Sequence, residues 1–464
     1  MRADVDKIKL PNVRVGVLEG QQIRANDRAG AEALGKRVNA SIIIWGADTG
    51  VKVEVKFLNL RQPEFDAADI FLQEQGGEGR TKVANPQPYA EFVTDDLPQV
   101  MSFLSLFAVG QAAAIQQDYK QAAQIIEQAL EDVQRAPQDI VGQADANFRL
   151  GWLRNELGEK QQALEAYNRA IILNPQFVDA YNNRGLLRKH QGDEAGALAD
   201  YEQAIKLDPQ FAAPYINRGI LRAEQDDAVA ARTDFDEGIK LNPQLAIAYY
   251  SRGLLRQKQG DLTGALTDYD QAIELNPQFA LSYNNRGLLR KDQGDEAGAL
   301  ADYDQAIVLN PQLVGAYNNR GILRSDQGDE AGALTDYEQA IKLDPQLVNA
   351  YNNRGGLRKE QGDTTGARTD YDQAIKLDPQ NATTYHGRAV LRVTLGDMTG
   401  ARTDFDQAIK LDPQSTTYYN RAVLRYSQGD KAGAYADFLE TRDRATDDVI
   451  RQAAEDALQV LEAE

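Results

Sequence analysis

Small and apolar residues recur in one fixed order every 34 residues along most of the chain. Residues 280–313 show the unit. With Ala280 as position 1, Tyr283, Gly287 and Leu289 occupy positions 4, 8 and 10. Ala299, Tyr303, Ala306, Ile307 and Leu309 occupy positions 20, 24, 27, 28 and 30. Polar residues fill the gaps at helical spacing, which predicts two helices per unit. Helix A is expected over 281–292 and helix B up to Leu309. Gly294 suits the left-handed residue that ends helix A, and Asp295 suits the N-cap of helix B. Asn310-Pro311 ends helix B, because proline disfavours helix in the residue before it and lacks an amide proton. The series Pro175, Pro209, Pro243, Pro277, Pro311, Pro345, Pro379 and Pro413 marks the same boundary in eight units. A strict period of this length means stacked repeats rather than one globular core.

Glycine at position 8 faces alanine at position 20, so the two helices can approach closely. Alanine at position 27 leaves room for the next helix A. A first, irregular unit carries Gly110, Ala122 and Ala129 at those positions. Nine more begin at residues 144, 178, 212, 246, 280, 314, 348, 382 and about 415. Thr441 replaces alanine in the last unit, so looser packing is expected there. A final helix is expected over 446–461, capped by Thr446, with Asp447, Asp448, Arg451, Glu455 and Glu462 giving it a polar outer face.

Gly287, Ala299, Tyr303, Ala306 and Pro311 together match the tetratricopeptide repeat, as do Gly185, Ala197, Tyr201, Ala204 and Pro209. Gly321, Ala333, Tyr337, Ala340 and Pro345 match equally. The resemblance implies a mainly α fold, a right-handed superhelix with helix A on its concave face.

Residues 12–60 break this rhythm. The stretches 12–18, 41–45 and 51–60 have strand character and 26–38 is helical, so a small α/β domain is expected over 1–61. The last two strands should form a hairpin. The run 33–46 followed by Val51-Lys-Val-Glu-Val-Lys-Phe-Leu58 resembles the second half of a TolB amino-terminal-like domain. That domain's first strand and helix have no counterpart, so the chain is expected to be the C-terminal part of a longer protein. Residues 62–94, with several glycines and prolines, are expected to be linker, residues 95–445 the ten repeats, and 446–464 a capping helix.

Composition narrows the chemistry. The chain of 464 residues has a net charge of −19 and no cysteine. Residues 1–98 hold 13 basic against 15 acidic side chains, leaving −17 to the repeats. That charge argues against nucleic acid and anionic membranes as partners. Thiolate metal sites and disulfides are excluded. No apolar run reaches membrane-spanning length and Met1–Lys7 is no signal peptide, so a cytoplasmic protein without membrane insertion is expected. His190 and His386 lie in separate repeats, and no metal or cofactor is expected. Gly35-Lys36 and the stretch Gly76–Lys82 lack P-loop spacing and are expected to be surface.

Two series could carry function. Position 6 is asparagine at Asn183, Asn217, Asn285, Asn319, Asn353 and Asn420, interrupted by Ser251 and Gly387. An asparagine amide both donates and accepts, so a row of them could hold an extended peptide backbone. It resembles the asparagine ladder of O-GlcNAc transferase repeats. Asn182, Asn284, Asn318 and Asn352 at position 5, aliphatic residues at position 9, and Lys189, Lys291 and Lys359 at position 12 complete the expected face. The second series is arginine at positions 7 and 11 with aspartate at position 23, as in Arg320, Arg324 and Asp336. It is either an anion track or an internal ion ladder. The repeat with Leu150 and Ala166 lacks both the position-7 arginine and the aspartate, which favours the ladder. No catalytic constellation is present. The expected function is a non-enzymatic scaffold for an extended protein or peptide segment, with a regulatory tail of a larger bacterial signalling enzyme as the alternative.

Overall fold

The computed structural model describes the backbone of residues 42–48, 52–59 and 70–73, single positions between 103 and 114, and residues 117–133 and 142–463. The chain divides into two compact units, Met1–Pro243 and Gln244–Glu464.

In the first unit, β1 (Ile42–Asp48), β2 (Lys52–Asn59) and β3 (Ile70–Gln73) form one antiparallel sheet in that order. Ile42 pairs with Asn59 and Asp48 with Val53, and Lys52 pairs with Gln73. The hairpin is thus in place. The third strand falls where linker was expected, because Ile70-Phe71-Leu72 is a short β-prone run ahead of the glycines. The strand expected at 12–18, the helix expected at 26–38 and the Gly35-Lys36 and Gly76–Lys82 stretches lie outside the described residues. An α/β domain is therefore not established.

Helices α1 (Tyr119–Asp132), α2 (Gln143–Glu156), α3 (Lys160–Leu173), α4 (Val178–His190), α5 (Glu194–Leu207), α6 (Ala212–Glu224) and α7 (Ala228–Leu241) complete the first unit. The second unit runs α8 (Ala246–Lys258), α9 (Leu262–Leu275), α10 (Ala280–Asp292), α11 (Glu296–Leu309), α12 (Val314–Asp326), α13 (Glu330–Leu343) and α14 (Val348–Glu360). It continues with α15 (Thr364–Leu377), α16 (Ala382–Thr394), α17 (Met398–Leu411), α18 (Ser415–Ser427), α19 (Lys431–Arg444) and α20 (Asp448–Ala463). From α2 to α19, even-numbered helices are helix A and odd-numbered ones helix B. Within each unit every helix packs on the next, and α4 touches α6 as α10, α12, α14, α16 and α18 touch in turn.

The turns follow their residues. Gly294 has φ +82°, and its equivalents Gly192, Gly260, Gly328, Gly362, Gly396 and Gly429 match it. Asp226 takes that place in its repeat at φ 62°, which aspartate tolerates better than most side chains. The Asp295 carboxylate accepts the Gly298 amide at 3.0 Å, a cap repeated by Asp193, Asp227, Asp261, Asp329, Asp363, Asp397 and Asp430. A Cβ on Gly287 would lie 2.9 Å from Tyr303 and 3.2 Å from the Ala299 carbonyl, so position 8 does meet positions 20 and 24. Ala299, Tyr303 and Leu323 of the next repeat close one of a series of small buried clusters.

Two expectations at the C-terminal end need correcting. Thr441 is fully buried rather than loosely packed, because its hydroxyl donates to the Asp437 carbonyl at 2.8 Å and needs no polar cavity. The last helix starts at Asp448, and the cap is Asp447, whose carboxylate accepts the Val449 and Ile450 amides. Asp447 sits one place nearer those amides than Thr446. The helix closes the array by burying Ala454 and Leu458 against Phe438.

Candidate functional site

The arginine series lies inside each repeat. Arg320 donates from Nε and one Nη to the two oxygens of Asp336, at 2.9 and 2.5 Å. Arg324, one turn later on the same helix, donates to the same carboxylate at 2.9 Å. The three-residue clamp recurs around Asp200, Asp234, Asp268, Asp302, Asp370, Asp404 and Asp437. Each of these carboxylates is buried. The position-7 guanidinium also stands over the tyrosine at position 4, as Arg320 does over Tyr317 at 5.7 Å. Where the preceding helix B offers a short acid, the remaining Nη reaches it. Arg286 meets Asp270, Arg320 meets Asp304, Arg388 meets Asp372 and Arg421 meets Asp406, all at 2.6–2.7 Å. Burial acts to lower the Arg320 pKa, but its hydrogen bonds to Asp336 and Asp304 outweigh it and hold the pKa above its ordinary value. These guanidinium groups bond to carboxylates within the array, although Arg256 and Arg425 each keep a buried Nε without a hydrogen-bond partner. They form an ion ladder and leave no anion track.

The asparagines are bonded too. Asn217 donates its amide to Asn182 at 2.9 Å, across one repeat boundary in the first unit. In the second unit Asn319 donates to Asn284 and Asn353 to Asn318, both at 3.1 Å. Asn285, preceded by Ser251, donates instead to the Tyr250 hydroxyl. Asn182 and Asn284 also donate to their neighbours Asn183 and Asn285. Asn420 approaches His386 Nε2 at 3.4 Å. Asn217, Asn285, Asn319 and Asn353 thus each spend one amide proton on the repeat before. The residues stay half-buried, and an asparagine amide has a second proton and further lone pairs.

Of the three lysines, Lys189 pairs with Glu224 and Lys291 with Asp326, each one repeat on, at 2.7 and 2.9 Å. The residue equivalent to those acids beyond Lys359 is Thr394, so that pairing does not repeat. The aliphatic row at position 9 is partly open, Leu254 being 40% exposed.

The row is broken in one place. Position 9 is Gly356, where other repeats have Leu288 or Ile322, and position 6 of the following repeat is Gly387. Gly356 leaves a cavity of about 310 Å³ on the helix-A side of the second unit, whereas the Tyr371 ring fills the space beside Gly387, 2.7 Å from where a Cβ would stand. Ile322, Asp326, Asn352, Glu360 and His386 line it, with Tyr337 and Tyr371 behind. The Asn352 Oδ1 atom is buried and receives no hydrogen bond, because Gly387 has no amide side chain to offer. Burial, then Glu360 and Asp370, push the Tyr371 hydroxyl up to about 12. Burial and then Lys359 lower the pKa of His386, whose Nδ1 lies 2.9 Å from the Thr417 hydroxyl. Sequence reasoning registered Gly387 only as an interruption and passed over Gly356. The signal was the departure of both from their rows.

Comparison with known proteins agrees with the repeat geometry. Models of the tetratricopeptide repeat match residues 151–192, 178–211, 255–294, 280–313, 324–362, 357–396 and 386–449. The chain belongs to the tetratricopeptide-repeat proteins, a family that commonly mediates protein–protein interactions. The resemblance of residues 33–58 to a TolB amino-terminal-like domain is not supported. A search of curated proteins finds no match. Similar solved structures include a tetratricopeptide repeat protein from Parabacteroides merdae, 21% identical over 55% of this chain and 99% of that one, with a TM-score of 0.45. Yeast Tom70 is 17% identical over 78% and 96%, with a TM-score of 0.41. The Cut9–Hcn1 hetero-tetramer of APC/C is 13% identical over 81% and 91%, with a TM-score of 0.48. Among the described residues no helix is long and apolar enough to cross a membrane.

Proposed function

We propose that the chain is a non-enzymatic scaffold whose helix-A face holds an extended segment of a partner protein. The observation that carries this is the half-buried row of asparagines at position 6, each keeping hydrogen-bonding capacity beyond its contact with the preceding repeat. The partly open aliphatic residues at position 9 lie on the same helices, one turn on. With Lys189 and Lys291 already neutralised, the face offers hydrogen bonds and apolar contact rather than a cluster of cations for a free carboxylate. An internal extended segment suits it better than a chain terminus.

The test uses the partner recovered from the source cell by pull-down on the intact chain. Each net hydrogen bond contributes about 0.5–1.5 kcal/mol, so Asn285→Ala/Asn319→Ala/Asn353→Ala should weaken its binding tenfold or more. The variant will also fold less stably, since Asn284 and Asn318 lose a donor. Leu254→Asp, at a position 40% exposed, should weaken binding with the melting curve little changed. Wild-type affinity in both variants would end the proposal.

A further inference from the structure

We propose that the cavity beside Gly356 and Gly387 is an anchor pocket for one basic side chain, arginine or lysine, of the bound segment. This rests on the helix-A reading above and names the chemistry at one point of it. The cavity opens where Gly356 replaces the leucine or isoleucine found at position 9 in neighbouring repeats, and Gly387 removes the amide that would otherwise bond Asn352. Its polar groups call for a donor. Asn352 holds an unsatisfied acceptor, which a turn of its amide about the soft χ2 torsion would present to an occupant. Glu360 lines the cavity and forms no ion pair among the described residues, whereas the Asp326 carboxylate is already held by Lys291. Both carboxylates bear electrostatically on the Tyr337 hydroxyl, so they act on the interior. Lys359 stands near His386 but is not part of the lining. A guanidinium or ammonium group would meet Glu360 and Asn352 at its head. Its methylene stem would lie along Ile322, Leu357 and the tyrosine rings. An apolar side chain would leave the acceptor and the carboxylate unpaired.

The pocket can be tested apart from the rest of the face. N-acetyl-arginine methylamide is titrated into the full chain and followed by the imidazole NMR signals of its two histidines, His386 in the cavity lining and His190 outside it. The proposal expects the His386 signals to move and the His190 signals to stay. Affinity should exceed that for N-acetyl-methionine methylamide at least tenfold, fall in high salt, and drop severalfold in Glu360→Gln. Gly356→Leu, which restores the residue found at position 9 in other repeats, should abolish the response while the chain stays folded. Equal response to the arginine and methionine probes, no response to either, or arginine binding that survives Gly356→Leu would overturn the pocket. A blocked nine-residue peptide with central arginine then tests the wider reading. Tighter binding than the single residue supports both. Binding no tighter leaves the pocket standing and removes the extended face.

Discussion

Asp336→Ala is expected to destabilise its repeat by about 3 kcal/mol, near the lower end of what breaking a buried ion pair costs. The carboxylate is 1% exposed and holds two guanidinium groups, Arg320 and Arg324. Removing it strands both charges beneath the helix pair. Some of the loss is recovered because Arg320 keeps Asp304 and Arg324 keeps a long contact to Asp329. Asp326→Ala is the control. Its carboxylate is largely exposed and pairs with Lys291, so about 0–1 kcal/mol is expected. Arg320→Leu combined with Asp336→Ala should do less harm than Asp336→Ala alone, since one stranded charge is gone. Because repeat arrays open locally, the readout is amide hydrogen exchange in residues 314–343 as well as the urea midpoint. Equal losses for Asp336→Ala and Asp326→Ala would contradict the ladder.

The second large effect is a pair of glycine substitutions with opposite signs. Gly321→Ala places a Cβ 2.7 Å from Tyr337 Cε1 and 3.3 Å from Asp336 Cβ, in a joint with no slack. Overpacking there should cost about 1–3 kcal/mol. Gly356→Ala sits in the next helix A, where the new Cβ meets only the Tyr371 hydroxyl at 3.8 Å. With no clash, the conformational gain of alanine over glycine in a helix should stabilise by about 0.5–1 kcal/mol. Thermal melts of the two variants against the parent decide the matter. Loss of stability in Gly356→Ala would show that the cavity beside it is a packed joint and not open space.

Much of this fold is written in the repeat. Gly294, Asp295 and Pro311 each dictate a local conformation, and the structure has the turn, cap and stop where they fall. The ladder was also legible, because Arg320 and Asp336 sit 16 residues apart in an antiparallel hairpin and vanish together where Leu150 and Ala166 stand. What the sequence hid was partner choice among similar side chains. The bonding of Asn319 to Asn284 depends on the offset between successive helices, a tertiary quantity with no local signature. So does the contact of Arg320 with Asp304 of the repeat before. The same offset decides whether a missing side chain leaves space: it does at Gly356, while at Gly387 the Tyr371 ring fills it. At Thr446 and Asp447, two adjacent residues could each cap the last helix, and it is the Asp447 carboxylate that accepts the Val449 and Ile450 amides.

The most direct test of a partner segment on the helix-A face compares two photoreactive side chains in one repeat, expressed in the source cell. One replaces Leu288 on helix A, the other Ala301, exposed on helix B. A discrete cross-linked adduct is expected from position 288, lost when Asn285, Asn319 and Asn353 are also replaced by alanine, and none from 301. An adduct from position 301 as strong as that from 288, or from 301 alone, would contradict it.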